Sequence, residues 1–552
     1  MKTIVNKIKY PAIFLILVFF QACDEYLDKA PTMALNEEVV FTVFVNAERY
    51  HNDIYSDLPQ RFNAIGDFEP VPMACAADEA DALRGWHATQ NFNMGNYMGG
   101  DPGFGFYNAI RKANTFLSKK DVVPFPSEAK RNQMLGEVYF LRAFYFNEII
   151  KRYGGMTIMN EDNILFPGDE LNKPRDSYKD CVEFILSDLE KAISMLPTTL
   201  NENEYGRATK GAAMALKSRV LLFAASPQWQ KEMGQNLWQQ AADAAKAVID
   251  LTDGGSKVYE LYSTGNGADD YERMFFLRRE TGNKEIIFYK HEGTIYFDNN
   301  QIYVWSPKGQ DLGGAGAVCP TQNFVNLFEM SNGKLINEPG SGYDPQNPYI
   351  NREPRFYKTI LYHGAQWQGK TMALNVGGAN RLNTIEYTRT GYYVRKFLPE
   401  GVRYLTTTRE YHNWIYFRLA EMYLNYAEAL NETLASPNQD VYDAVNTIRS
   451  RSGVVNLPAG LNKEQMRERI QNERAIELSF EEHRWWDARR WQKAIDWFGG
   501  PMYEMSITIE NGKLIYTEKP FYNRIYRWYM DLYPITVGEL RKNPLYYQNP
   551  GW

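Results

Sequence analysis

The segment FRLAEMYLNYAEAL, residues 417–430, decides the fold class of this 552-residue chain. Its apolar side chains recur every three or four residues, which places them on one face of an α-helix. A Ser-Pro-Asn break follows at 436–438, and a second apolar stripe runs from Tyr442 through Val445 to Ile448. The two stripes predict an antiparallel helical hairpin. The apolar positions of the first stripe are Leu419, Met422, Tyr423, Tyr426, Ala427 and Leu430.

Helical patterns of the same kind occur earlier in the chain. Small residues at their close-packing positions are typical of stacked helix pairs that resemble tetratricopeptide units. We therefore predict a mainly α fold, in which such pairs form a spine mainly over residues 105–250 and 414–490. The earlier stripes lie in 138–149 (ended by Tyr153-Gly154-Gly155), 182–196 (ended by Pro197), 213–225 (ended by Ser226-Pro227) and 241–249.

Long stretches between the helices lack the alternation of β-strands. They lie near residues 61–105, 255–410 and 495–535 and are rich in Gly, Asn, Asp, Pro and aromatic residues. Loops of this length usually carry function or are held by the scaffold. We expect irregular loops here, with 255–410 as a loop-rich insert, and we expect the loops to carry a ligand site. No polar linker separates independent units, so residues 23–552 are predicted to form one domain.

The first 22 residues have the pattern of an export signal. Three lysines precede an uninterrupted apolar run, Ala12–Phe20, which is too short to span a bilayer. Gln21-Ala22-Cys23 follows, and a small residue before a cysteine is typical of a bacterial lipoprotein processing site. We predict cleavage after residue 22 and lipidation of Cys23, because several acyl chains on one residue give durable membrane anchoring.

Charge and the remaining cysteines exclude several classes of function. The formal net charge is −6, and no basic stripe is present, so nucleic acid is not an expected partner. Cys75, Cys181 and Cys319 are widely spaced and form no C-x-x-C pair. We expect all three thiols to be buried. One disulfide among them is the alternative in an oxidising compartment.

Sequence patterns of catalysis are absent. Glu473 and Glu477 lie one helical turn apart among several arginines, which favours an ion-pair network between helices over the two carboxylates of a glycosidase. There is no H-E-x-x-H pair, no G-x-S-x-G elbow, and the glycines at 313–316 lack the Lys-Ser/Thr of a phosphate loop. We predict no enzyme, no cofactor and no catalytic metal. A bound Ca²⁺ remains an open alternative because the loops contain many carboxylates, although these do not have the spacing of an EF-hand.

Several segments in order resemble the SusD/RagB family over nearly the whole chain. The most specific is the pair Phe417–Leu424 and Tyr426–Ala429, which lies within the segment quoted above. The matching segments are Cys23–Asp28 with Pro31, Phe106–Asn114, Phe140–Phe146 with Tyr153-Gly154-Gly155, Gly206–Ala213, Phe417–Leu424 with Tyr426–Ala429, Glu473–Leu478 with His483–Asp487, and Tyr533–Ile535 with Asn543-Pro544 and Gln548–Trp552.

The resemblance implies a surface-exposed protein of the outer membrane, held there by a lipid anchor. It implies a helical scaffold with a loop-built site for a nutrient, most often a glycan, and a SusC-like TonB-dependent transporter as partner. Some relatives handle peptides, so peptide capture remains an alternative. A surface glycoside hydrolase and a purely structural assembly subunit are two further alternatives for the function of the protein.

Two loops offer the residue types that bind saccharides. Sugars present an apolar C–H face and a rim of hydroxyls, so aromatic rings with Asp, Asn or Arg at their edges are expected. The alternative for any one of these residues is a tryptophan that fills the core and charges that are solvated. The candidates are Asp81, Arg84, Trp86, Asn96 and Tyr97 in the first loop and Tyr296, Tyr303 and Trp305 in the second.

Overall fold

A computed structural model describes residues 37–62, 64–65, 70–97, 103–164, 169, 173–290, 303–401 and 413–552. The predicted signal segment, Cys23 and Tyr296 lie outside the described residues. No helix in the described part of the chain is long and apolar enough to cross a membrane.

Helices dominate the chain, and the prediction of a mainly α fold is confirmed. Short 3₁₀ turns lie at Met73–Cys75, Gly103–Gly105, Glu202–Glu204, Arg279–Thr281 and Trp528–Asp531. The α-helices are α1 (Glu37–Thr42), α2 (Phe44–Ser56), α3 (Thr89–Asn93), α4 (Phe106–Ser118), α5 (Glu128–Tyr153), α6 (Tyr178–Met195), α7 (Lys210–Ala225), α8 (Gln230–Met233), α9 (Trp238–Ile249), α10 (Ala268–Met274), α11 (Gln322–Val325), α12 (Phe356–Thr359), α13 (Leu419–Thr433), α14 (Gln439–Arg451), α15 (Lys463–Glu477), α16 (His483–Arg490), α17 (Ala494–Phe498) and α18 (Val537–Lys542).

Side-chain caps determine where several long helices begin. The hydroxyls of Ser127, Ser177 and Thr209 each accept a hydrogen bond from a backbone N–H in the first turn of α5, α6 and α7. These bonds satisfy N–H groups that have no partner within a helix. Helix α5 ends at Gly154, whose φ of 75° is a conformation that glycine adopts without steric cost.

The long helices pack in one continuous series. Helix α2 packs on α4, α4 on α5, α5 on α6, α6 on α7, and α7 on α9. Helix α9 then packs on α13, although about 170 residues separate them in sequence, and α13 packs on α14 and α15. The largest buried core includes side chains from Phe41 to Tyr546. The insert between α9 and α13 therefore leaves the helical series and returns to it.

Among the described residues, the strands form six antiparallel pairs: β1 (Ala80–Ala82) with β5 (Val318–Pro320), β2 (Thr252–Asp253) with β3 (Ser256–Lys257), β4 (Ile286–Lys290) with β10 (Trp414–Arg418), β6 (Ile360–Leu361) with β9 (Tyr393–Val394), β7 (Gln366–Trp367) with β8 (Lys370–Thr371), and β11 (Gly500–Glu510) with β12 (Lys513–Arg524).

The β11–β12 hairpin corrects the prediction that residues 495–535 are irregular. Its strands are 11 and 12 residues long and pair from Gly500–Arg524 to Glu510–Lys513. The ribbon is largely exposed along β12, so its sequence lacks a clean alternation of buried and exposed positions. The signal that could have found it is Asn511-Gly512, a turn pair in which both residues have positive φ.

The predicted ion-pair network is confirmed and lies in the core. Arg418, at the junction of β10 and α13, donates to Glu285, Glu477 and Glu481. Although burial raises the pKa of Glu477, its arginine partners lower it far more, to well below the ordinary value. The network extends through ion pairs among Arg355, Glu353, Glu473, Arg449, Glu329, Arg451 and Lys396.

Candidate ligand-binding site

An exposed tryptophan lies just beyond the edge of the β1–β5 pair. Trp86 follows β1 by four residues, and its side chain is 54% exposed. The guanidinium of Arg84 lies over its ring, 5.2 Å from the ring centre. The Arg84 side chain is almost buried, so its guanidinium lies on the side of the indole that faces the protein. The predicted pair of Arg84 and Trp86 is therefore brought together.

Glu386 fixes this arrangement from a distant part of the chain. Its Oε2 accepts from Arg84 Nη2 at 2.7 Å and from Lys308 Nζ at 2.8 Å. These two hydrogen bonds lower the pKa of Glu386 to about 2. Lys308 also lies 5.5 Å from the ring centre of Tyr387. We call Arg84, Trp86, Lys308, Glu386 and Tyr387, together with Arg389 two residues further along the chain, the Trp86 surface.

Asp81 contributes to this surface from beneath and not as a ligand-facing group, which corrects its predicted role. Its side chain is fully buried in β1. Gln90 and Arg524 donate to it at 2.7 and 2.8 Å, and Arg389 approaches to 3.5 Å. Because so many donors contact the Asp81 carboxylate, its oxygens face protein groups and it stabilises strand β1.

Asn96 and Tyr97 have different environments. Asn96 is exposed, and its backbone N–H donates to the carbonyl of Asn91. Tyr97 is buried, and burial raises its pKa well above the ordinary value. Its ring packs against Phe92 and Trp552 with centres 4.7 and 5.4 Å apart. Tyr97 is therefore a core residue, contrary to the prediction of a ligand contact.

Trp305 is also a core residue, and its predicted stacking role does not fit its position. It is only 2% exposed, and its indole N–H donates to the carbonyl of Phe62 at 3.1 Å. Phe62, Phe397 and Phe480 surround its ring in edge-to-face contacts. Tyr303 is half-buried, and Tyr296 lies outside the described residues. From this segment it is Lys308 that reaches the Trp86 surface.

Lys308, Glu386, Tyr387 and Arg389 were not among the predicted residues. Glu386 is 302 residues from Arg84, so no local spacing pointed to their contact. The sequence indicates them only through the composition of the insert in which they lie, which is rich in turn-forming and aromatic residues.

A polar cavity lies at the C-terminal end of α5, with about 490 Å³ of empty space including its opening. Lys151 Nζ bonds Glu148 at 2.5 Å and lies 4.6 Å from the ring centre of Trp486. Burial lowers the pKa of Lys151 to about 7. Arg61 also pairs with Glu148 and with Glu482. The cavity walls thus carry charges that largely pair with one another.

Within the described ranges, no three His, Cys, Asp or Glu side chains are placed to hold a metal ion. Cys75, Cys181 and Cys319 are free and buried, which agrees with the prediction of buried thiols. Burial raises the pKa of Cys319 to about 11, so this thiol is unreactive.

Comparison with known families identifies the class of protein that carries this scaffold. A model of the SusD family matches residues 284–552, and a model described as starch-binding associating with outer membrane matches residues 25–222. The chain belongs to the SusD-like family.

Individual relatives agree over most of the chain. A SusD-like protein from Bacteroides fragilis NCTC 9343 is 28% identical, with a TM-score of 0.76 over 95% of this chain and 100% of that one. A SusD-like carbohydrate binding protein from the same strain is 24% identical, with a TM-score of 0.73 over 91% and 98% of the two chains. SusD-like protein P38 of Formosa agariphila is 24% identical over 422 residues, 71% of this chain and 72% of the relative.

Proposed function

We propose that this protein is a cell-surface glycan-binding lipoprotein that captures oligosaccharides and delivers them to a SusC-like TonB-dependent transporter. Membership of the SusD-like family supports the capture role, as does the similarity to a structure described as carbohydrate binding. The description of the N-terminal family model includes association with the outer membrane, which supports the location.

The observation that carries the proposal is the exposed ring of Trp86 beside the hydrogen-bonded cations of the Trp86 surface. An indole that is 54% exposed leaves apolar area in water, and the C–H face of a sugar ring covers such area well. Arg84 is almost buried, whereas Lys308, joined to it through Glu386, is 27% exposed and offers a donor for hydroxyl oxygens. Glu386 holds both cations in place, so the rim is ordered before a ligand arrives.

The lipoprotein pattern of the N-terminal segment supports anchoring, and the family supports delivery. In this proposal Cys23 carries the lipid, and the folded part stands at the cell surface above the transporter. A capture protein raises the local concentration of ligand at the transporter mouth and needs no chemical step. We therefore expect binding without turnover.

Calorimetric titration of the chain from residue 24 onwards tests the capture role. The ligands are a panel of oligosaccharides and a panel of peptides, and each mixture is analysed for products. Saccharide binding with intact ligand is the expected result. Peptide binding alone would replace the glycan with a peptide as cargo, and release of shorter saccharides would reveal a hydrolase.

Delivery needs its own measurement. The lipidated chain is purified from outer membranes after mild solubilisation, and the proteins that accompany it are identified. A TonB-dependent barrel in stoichiometric amount is expected. Its absence, with saccharide binding intact, would leave a capture protein without the proposed partner.

A further inference from the structure

Each of two carboxylates at the Trp86 surface is shared by two cations. Glu386 accepts from Arg84 and Lys308, at 2.7 and 2.8 Å. Asp81 accepts from Arg524 at 2.8 Å, and Arg389 lies 3.5 Å from its other oxygen. One carboxylate carries one negative charge, so it neutralises the charge of only one of the two cations that it contacts.

Arg389 is the cation with the weakest anionic partner of the four. Asp81 is committed to Arg524, which is buried and donates to the carbonyl of Ala80 as well. Arg389 is 30% exposed. Its guanidinium lies over Phe521 and Tyr522, 5.5 and 5.8 Å from the two ring centres. Stacking on these rings orients the guanidinium, and the 30% exposure of the side chain leaves part of it in contact with solvent.

Lys308 repeats this arrangement. It is 27% exposed, shares Glu386 with Arg84, and lies against the ring of Tyr387. The surface therefore presents three cation–aromatic units: Arg84 on Trp86, Lys308 on Tyr387, and Arg389 on Phe521 and Tyr522. Aromatic rings stack on the C–H faces of sugars, and cations bind anionic substituents in charge-assisted hydrogen bonds.

We infer that the Trp86 surface selects acidic oligosaccharides, whose carboxylate or sulfate groups bind Arg389 and Lys308. This inference rests on the proposed glycan-binding function and adds the chemical class of the glycan. The protein as a whole has a net charge of −6, so its overall field does not attract polyanions. Selection must then come from cations at short range, which is where these side chains lie.

The test is calorimetric titration with three oligosaccharides of equal length: a neutral glucan, an oligouronate and a sulfated glucan. Titrations are run at low and at high sodium chloride. We expect at least one acidic ligand to bind about tenfold more tightly than the neutral one at low salt. That advantage should shrink at high salt, because the exposed charges are screened. The two acidic ligands distinguish carboxylate from sulfate recognition.

Substitutions locate the effect. Arg389→Gln and Lys308→Gln should each weaken acidic binding by roughly tenfold more than they weaken neutral binding. Lys217→Gln, which removes a cation of similar exposure (31%) on α7, is the matched control and should change neither affinity. Thermal unfolding of each variant establishes that the protein is folded.

Two results would overturn the inference in distinguishable ways. Equal affinity for neutral and acidic ligands, or loss of both together in Arg389→Gln, would remove the acid preference and leave glycan capture standing. Failure to bind any of the three saccharides, in a protein that binds peptides or nothing, would remove the proposed function together with the inference.

Discussion

The guanidinium of Arg84 lies 5.2 Å from the ring centre of Trp86, and the same side chain donates to Glu386, 302 residues further along the chain. The exposed indole is thus oriented by a residue of the loop-rich insert. A cation over an exposed ring contributes roughly 0.5–1 kcal/mol, enough to favour one orientation of the side chain. The surface is therefore ordered by contacts that only the packed chain provides.

Trp86→Ala should reduce saccharide affinity at least tenfold, because a central aromatic contact typically accounts for much of a binding site's energy. The free energy of unfolding should change by less than about 0.5 kcal/mol, since half of the side chain is in water. Titration calorimetry and urea unfolding measure the two effects. Trp528→Ala, which removes an indole that is 65% exposed, is the control. An unchanged affinity in Trp86→Ala would refute our placement of the site.

Trp305→Phe should leave ligand affinity unchanged, because its ring is enclosed by other aromatic side chains. The substitution removes the hydrogen bond from the indole to Phe62 and should cost about 1–2 kcal/mol of folding stability. Urea unfolding and ligand titration of the same sample separate the two effects. A variant of normal stability with weakened binding would return Trp305 to the site.

Arg418→Met should destabilise the protein by roughly 3–5 kcal/mol, because it leaves Glu477 and Glu481 buried without their shared cation. Arg467→Met is the matched control. Its guanidinium is 36% exposed and pairs with Glu432, so the loss should be below about 1 kcal/mol. Both are measured by urea unfolding at neutral pH. Similar losses of folding stability in the two variants would mean that burial does not determine how much these ion pairs stabilise the protein.

Glu482 occupies the left-handed region, with φ of 63°, at the residue before α16. A residue with a Cβ atom is strained there by about 1 kcal/mol, and glycine is not. Glu482→Ala and Glu482→Gly both remove the ion pair with Arg61, so they differ mainly in this strain. We expect the glycine variant to be the more stable by about 1 kcal/mol in urea unfolding. The opposite order would show that the backbone at this position is not strained.

Glu79 should make the protein less stable as the pH rises from 5 to 8. Burial raises its pKa to about 8, whereas the unfolded chain releases this proton near the ordinary value of 4.5. Between these values the folded state binds the extra proton, so the free energy of unfolding falls as the pH increases.

Glu79→Gln should remove that dependence, because the amide stays neutral and can still accept from the N–H of Phe480. The stability of the variant relative to the native protein should rise by up to about 1.4 kcal/mol per pH unit in this window. Urea unfolding at pH 5, 6, 7 and 8 measures the difference. A difference that is constant with pH would contradict the raised pKa.

Local patterns were sufficient to predict the helical series. The apolar stripe of residues 417–430 became α13, and the stripe at 138–149 became part of α5. Helical periodicity places side chains on one face whatever the rest of the chain does, so it can be read from a short window. The long hairpin at β11–β12 was missed because its pattern is weak where the ribbon faces solvent on both sides.

The candidate site was predicted only in part, for a different reason. Arg84 and Trp86 lie in one short segment, and the structure brings them together at the surface. Asp81, in the same segment, points into the protein, and Trp305 fills the core. Composition indicates which residue types a site needs, but it does not indicate which of them are buried.

The sequence by itself determined the helical fold class and membership of the SusD-like family, because periodicity and ordered motifs are properties of consecutive residues. Only the tertiary structure decided which charges flank Trp86. Lys308, Glu386 and Arg389 come from the insert between α9 and α13, far from Arg84 in sequence. Their contacts depend on how that insert folds back onto β1 and the segment that follows it, and chain packing, not local spacing, sets that arrangement.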